Sequence, residues 1–260
     1  NKNFQKFLSV FLLFFCGGFI FAAKNASYYF NEGKNLQLAE DWYGAIECFS
    51  ESTRLNPSYG EAYFKLAECF YAVDEYELSL QNLDLASKYL RNRADLENLR
   101  GFSYIGLGDL VEAEKIFSAI LQSYPNDIDA RFGLAELNIL KGRVSGAEKE
   151  YKQALSRQNT NKKALLSLAL VSDELGNQNA TNTYINQALK YHSGNPEVYY
   201  FAAYLAVKQG DLEQAESRIR TAIHLKENYD EAYKLLADIL YKSNRFEECI
   251  EICKYRITLN

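Results

Sequence analysis

The chain has 260 residues, 48% of them hydrophobic, with three prolines and a formal net charge of −5. So much apolar material excludes a disordered chain, and scarce proline leaves no linker or low-complexity tract. The acidic balance argues against nucleic acid as a partner, since a phosphate backbone calls for a basic face.

The first two dozen residues differ from all that follow. Lys2 and Lys6 precede an uncharged stretch from Phe7 to Ala23, dense in Phe and Leu, that ends before Lys24. Positive residues, an apolar core and small residues in that order form the layout of an export signal. As a helix the stretch would reach about 26 Å, slightly under a ~30 Å hydrocarbon core, so a retained membrane anchor is a second expectation. Lysines on the N-terminal side place the remainder across the membrane from the cytoplasm. Cleavage after Ala22 or Ala23 fits, although Ile20 and Phe21 are bulkier than the small residue preferred two places earlier. Leu12-Leu13-Phe14-Phe15-Cys16-Gly17 loosely resembles a bacterial lipobox, which makes Cys16 a candidate for lipidation, with Phe15 bulky where a small residue is expected. Residues 1–23 are therefore expected to be a signal peptide or membrane anchor, with residues 7–23 contacting the membrane.

From Ala26 onward one pattern returns every 34 residues without insertion or deletion. Gly33, Ala67, Gly101, Ala135, Ala169, Ala203 and Ala237 form one column of small residues. Ala45, Ser79, Ala113, Ala147, Thr181, Ala215 and Cys249 form a second, and Ser52, Ala86, Ile120, Ala154, Ala188, Ala222 and Arg256 a third. Small residues at fixed offsets mark places where helices approach closely, and a period of this size marks a stacked array. Turn chemistry falls between the first two columns, at Gly108-Asp109, Gly142-Arg143, Gly176-Asn177 and Gly210-Asp211, with Asp74 and Asn244 at matching sites. Pro57 and Pro125 share a slot after a second helix, and Pro196 opens a first helix. Phe49, Leu83, Phe117, Tyr151, Ile185 and Ile219 form a column of large hairpin-core residues.

This pattern resembles the tetratricopeptide repeat (TPR) family over residues 26–260, with repeats starting near 26, 60, 94, 128, 162, 196 and 230. The resemblance implies an all-α fold, a right-handed TPR superhelix (α-solenoid) of about seven helix-turn-helix repeats. Some slots depart from it. Glu97 and Arg131 stand in a column otherwise held by Tyr29, Tyr63, Leu165, Tyr199 and Tyr233, and Asn138 and Ser172 replace Leu36, Phe70, Tyr104 and Leu240 in another. Each large apolar side chain lost forfeits roughly 1.5–3 kcal/mol of burial, so the array is expected to be looser in its middle than at its ends.

The chemistry-bearing residues suggest no catalysis, cofactor or metal. His192 and His224 fall near the ends of second helices, where a helix dipole favours them. Cys249 and Cys253 lie four apart on one helix and read as small buried hydrophobes rather than a metal pair, and Cys48 and Cys69 lie on successive helices. Asp173-Glu174 and Glu247-Glu248 read as solvated helix surface.

Binding remains. The resemblance assigns a concave wall to the first helix of each repeat, and its groove positions fall on Phe30 and Lys34, then Glu61, Phe64, Glu68 and Tyr71, then Asp95, Asn98 and Phe102. Asp129, Phe132 and Glu136 follow, then Lys163, Tyr200, Tyr204, Lys234, Asp238 and Tyr241. From Glu61 to Glu136 these positions alternate acids with aromatic rings and carry no Lys or Arg, which implies a protein or peptide partner with a basic and apolar segment. The terminal-carboxylate clamp of chaperone-tail adaptors is not matched, because its slots hold Phe30, Lys34, Lys65, Asp95 and Leu99. Ile250, Tyr255, Ile257 and Leu259 have no following helix to cover them, so either further chain or another subunit in an oligomer is expected there. The expected function is a non-enzymatic scaffold, exported to the periplasmic side of a bacterial membrane and organising an envelope complex. A pilotin-like lipoprotein assisting an outer-membrane secretion or pilus machine is the first alternative. A non-catalytic TPR segment of a larger protein is the second.

Overall fold

A computed structural model describes residues 25–258; the expected signal, anchor and Cys16 lipidation segment lies outside them, as does Leu259. Among the described residues every regular element is an α-helix, and there are fourteen. The first helices of the repeats are α1 (Ala26–Leu38), α3 (Gly60–Ala72), α5 (Ala94–Gly106), α7 (Ile128–Leu140), α9 (Lys162–Glu174), α11 (Pro196–Lys208) and α13 (Asp230–Lys242). The second helices are α2 (Trp42–Leu55), α4 (Tyr76–Ser87), α6 (Leu110–Ser123), α8 (Val144–Arg157), α10 (Gln178–Tyr191), α12 (Leu212–Leu225) and α14 (Phe246–Thr258). The chain divides between Gly108 and Asp109, in the turn of the third repeat, into a first unit holding α1–α5 and a second holding α6–α14.

The turn inside each repeat is one device used seven times. Glu40, Asp74, Gly108, Gly142, Gly176, Gly210 and Asn244 all adopt positive φ, between 58° and 80°. That left-handed residue lets the next amide reach back to the helix: Asp41 N donates to Leu36 O at 2.9 Å, and Arg143 N to Asn138 O at 2.7 Å. Asn138 and Ser172 occupy the slot whose carbonyl accepts this bond, so the turn tolerates a polar side chain there. Beyond the turn, Asp41, Asp109, Asn177 and Asp211 cap the following helix by accepting from the amide three residues on.

In the first unit Phe49 is fully buried, with Ala45, Leu66 and Cys69 around it, while Phe64, Ala67, Leu83, Ala86 and Leu96 form a neighbouring cluster. Burial pushes the Cys69 thiol up to about 12, as suits an apolar packing element. In the second unit Leu165, Ala169, Ile185, Ala188, Val198 and Leu205 form one core, and Ala203, Ala215, Ile219, Ala222, Leu236 and Ile239 another.

Three expectations are corrected here. The middle is not the loosest part by burial: α9 buries seven residues, Ser172 among them, whereas α14 buries none. Ser172 is fully enclosed on α9 with its hydroxyl unpartnered among the described residues, so the slot is closed even where its side chain is small and polar. Cys253 is exposed, because the side of α14 that packs on the core carries Cys249 and Ile252, and Cys253, one turn beyond Cys249, reaches back to that neighbour's side chain. The Asp173 side chain is only 6% exposed, drawn in by an ion pair with Lys208 from α11.

Glycine is required at Gly133 for a different reason from the turns. A β-carbon there would meet the Phe117 ring at 2.3 Å, whereas one at Gly176 would meet nothing within 4 Å. Gly176→Ala therefore costs about 1 kcal/mol, from left-handed backbone strain alone. Gly133→Ala costs about 3 kcal/mol through overpacking, and Phe117→Leu in the same chain recovers part of it. Urea unfolding of the three variants checks this order.

Candidate functional site

First helices touch one another side by side within each unit, α1 with α3 and α3 with α5, then α9 with α11 and α11 with α13. Side chains pointing away from the hairpin cores thus lie within reach of neighbours about 34 residues away in sequence, and this sets the electrostatics of both faces.

On the first unit the acids are already paired. Arg93, in the turn before α5, donates from Nη1 to Glu61 Oε1 at 2.5 Å and grips both oxygens of Asp95 at 2.8 and 2.6 Å. Its guanidinium also covers the Phe64 ring, 5.4 Å from the centroid. The Arg93 hydrogen bonds hold the Asp95 carboxyl below the usual carboxylate range. Glu68 accepts from Lys65 at 2.7 Å and from Gln37 at 3.0 Å. Phe30 packs on Tyr59, with centroids 4.8 Å apart, and Lys34 stands over its ring at 5.1 Å. Tyr71 meets Tyr76 edge to face at 5.7 Å, and Phe102 is half-buried.

Two features of the expected wall are therefore corrected. Phe64 and Asn98 in the first unit are buried at 5% and 4% exposure, and Phe132 in the second at 3%, so none offers open contact area. Phe64 turns inward because Ala67 and Ala86 leave room that its ring fills, and Phe132 packs against Tyr151, with centroids 5.9 Å apart. Nor is the acidic stretch free of cations, since Arg93, a position that column alignment passes over, neutralises Glu61 and Asp95, and Lys65, at a clamp slot, neutralises Glu68.

The second unit is different. Asp129 is exposed and Glu136 half-exposed on α7, and neither has a cation within ion-pair distance among the described residues. Crowding by surrounding atoms raises both carboxyls above their ordinary range; Asp127 raises Asp129 further, and Lys163 partly offsets the rise in each. Lys163 stands 4.5 Å from the Phe132 centroid. Farther along, Tyr200 packs on Tyr229 at 5.5 Å and on Phe201 at 5.7 Å, whereas Tyr204 and Tyr241 are exposed at 39% and 64%. Burial and the carboxylates of Glu197 and Glu231 push the Tyr229 phenol up to about 12.

Sequence reasoning missed a cleft of about 350 Å³ lined by Arg220 and His224 of α12, Glu227 of the turn after it, Tyr233 of α13, and Ile252 and Tyr255 of α14. His224 faces this cleft, and His192 Nε2 lies 2.6 Å from Thr160 O of the preceding repeat, so each histidine has a surrounding more specific than a helix dipole. No group of three potential metal ligands occurs among the described residues.

The tetratricopeptide repeat family profile matches residues 104–170 and 206–254. Over those two stretches the chain matches tetratricopeptide repeats. A TPR repeat-containing protein of Methanocaldococcus jannaschii is 22% identical over 233 residues, covering 85% of this chain and 40% of that protein. The DnaJ homolog subfamily C member 3 of Bos taurus is 22% identical over 227 residues, covering 85% and 41%. The chain thus spans about two fifths of the length of these relatives. A tetratricopeptide repeat protein from Parabacteroides merdae, 17% identical, superposes with a TM-score of 0.69 over 84% of this chain and 85% of that one. The repeats are an interaction fold, and no catalytic family is indicated among these likenesses.

Because Asp95 titrates below its unfolded value, the Arg93 clamp stabilises above the unfolded pKa and loses that contribution as pH falls through the folded one. Arg93→Gln therefore costs about 1 kcal/mol at neutral pH, discounted for partial exposure, and much less near pH 3. Denaturation midpoints at the two pH values check it.

Proposed function

We propose that the chain is a non-catalytic scaffold that holds a protein or peptide segment with basic and apolar side chains on the first-helix face of its second unit. The observation that supports this reading is the contrast between the faces: Glu61, Glu68 and Asp95 are matched by Arg93 and Lys65, while Asp129 and Glu136 share only the partial field of Lys163. A lysine or arginine brought to either one gains charge-assisted hydrogen bonds from a carboxylate already partly stripped of water. Exposed Tyr204 and Tyr241 supply apolar area on the same series of first helices.

We further propose that the scaffold is exported to the periplasmic side of a bacterial membrane, where it serves an envelope complex. Lys2, Lys6 and the uncharged stretch from Phe7 to Ala23 support this. The lipobox-like segment ending in Cys16-Gly17 favours the pilotin-like lipoprotein as a second reading.

A synthetic peptide alternating lysine and leucine tests the binding face by calorimetric titration. Asp129→Asn combined with Glu136→Gln is expected to weaken binding roughly tenfold or more, and an acidic peptide of equal length is expected not to bind. Unchanged affinity in the double variant overturns the assignment. Since the folded Glu136 carboxyl is raised, its charge opposes folding once pH exceeds that value, so Glu136→Gln alone raises the melting temperature at neutral pH while lowering affinity.

Intact-mass measurement on protein from its native membrane fraction tests export. Loss of residues through Ala22 or Ala23 marks a signal, a retained leader marks an anchor, and a lipid adduct on Cys16 marks the lipoprotein. An unmodified chain confined to the cytosol contradicts all three.

A further inference from the structure

The second helix of the last repeat has two apolar faces. Cys249 and Ile252 pack on the core beneath, Tyr255 lies 5.9 Å from Tyr233, and Arg256 pairs with Asp230. On the adjoining face Phe246, Ile250, Cys253 and Ile257 follow one another at spacings of four, three and four. All four are exposed, at 47%, 54% and 75% for the large ones. That spacing is the seam of a coiled coil, and it runs the length of α14. Phe246 touches Tyr241 edge to face and Cys253 reaches Cys249 one turn back, while Ile250 and Ile257 face outward.

The charges beside the seam indicate what covers it. Glu247 and Lys254 occupy equivalent flanking positions one heptad apart, and neither forms an ion pair among the described residues. When two copies of α14 pack antiparallel about a twofold axis, Phe246 meets Ile257 of the other copy and Ile250 meets Cys253. Flanking positions of one kind then face each other, which sets Glu247 against Lys254 twice by symmetry. Parallel packing offers no such match. We infer that this face of α14 is a self-association surface, on which a second copy of the chain docks antiparallel through Phe246, Ile250, Cys253 and Ile257. The contact is isologous, so it closes at a dimer.

Sedimentation equilibrium of the full chain in density-matched detergent tests the inference. The chain is expected to sediment as a dimer, and Ile250→Glu or Ile257→Glu to weaken association by roughly tenfold or more. Both side chains are exposed, so the helical circular dichroism of the variants should match the parent. Glu247→Lys and Lys254→Glu should each weaken the dimer, and the two together should restore it. A chain that stays monomeric at high concentration overturns the inference and leaves the face to a different partner or to another part of the polypeptide. A dimer indifferent to Ile250→Glu and Ile257→Glu, or a charge swap that fails to restore association, overturns it equally.

Discussion

Two helices can approach closely only where one presents almost no side chain to the other, and this sequence meets that condition at the same place in six of its seven repeats. Ala45, Ser79, Ala113, Ala147, Thr181 and Ala215 are all completely buried. Against this constant stand the large residues Phe49, Leu83, Phe117, Ile185 and Ile219, each 1% exposed or less. The size of the large residue fixes the demand on its neighbours. Phe117 lies so near α7 that residue 133 has no room for a β-carbon, and Phe49 presses on Gly33 in the same way. In the last repeat the columns end in Cys249 and Arg256, both half-exposed, and α14 is correspondingly the least buried helix.

Close packing inside the hairpins leaves the first helices side by side, and this decides the fate of the charges. A carboxylate on one first helix is within reach of a cation on or just before the next, so acids that look like a continuous ridge in the sequence are not electrostatically equal. Arg93 closes the ridge around Glu61 and Asp95 and lays its guanidinium over Phe64. Asp129 and Glu136 keep a partial deficit of positive charge, which Lys163 reduces without removing. What favours a basic segment at this face is the charge the chain leaves unneutralised, rather than the number of acids it carries.

The repeat architecture was legible because it rests on residue size at fixed spacing, which a sequence displays directly. The turns were legible for the same reason at the four glycines, and at Asp74 and Asn244, while Glu40 takes the left-handed conformation without a residue type that announces it. The binding face was legible only in outline. Column alignment assigns a residue to a face by its position, but Phe64, Asn98 and Phe132 lie where a first helix turns inward, and neighbouring alanines admit a ring. Arg93 escaped because its reach is set by a long side chain crossing between helices, which no spacing rule records, whereas Lys65 and Glu68, three apart on α3, form a pair that helical spacing does display. The cleft beside His224 is assembled from α12, α13 and α14 and has no sequence motif at all.

The central claim is that one first-helix face is electrostatically closed and the other left open. Carbon-detected NMR titration of the individual carboxyls measures this without any partner present. The account predicts that Asp129 and Glu136 titrate above ordinary surface acids and that Asp95 titrates below them. Three indistinguishable midpoints, or Asp95 titrating above the other two, would contradict it.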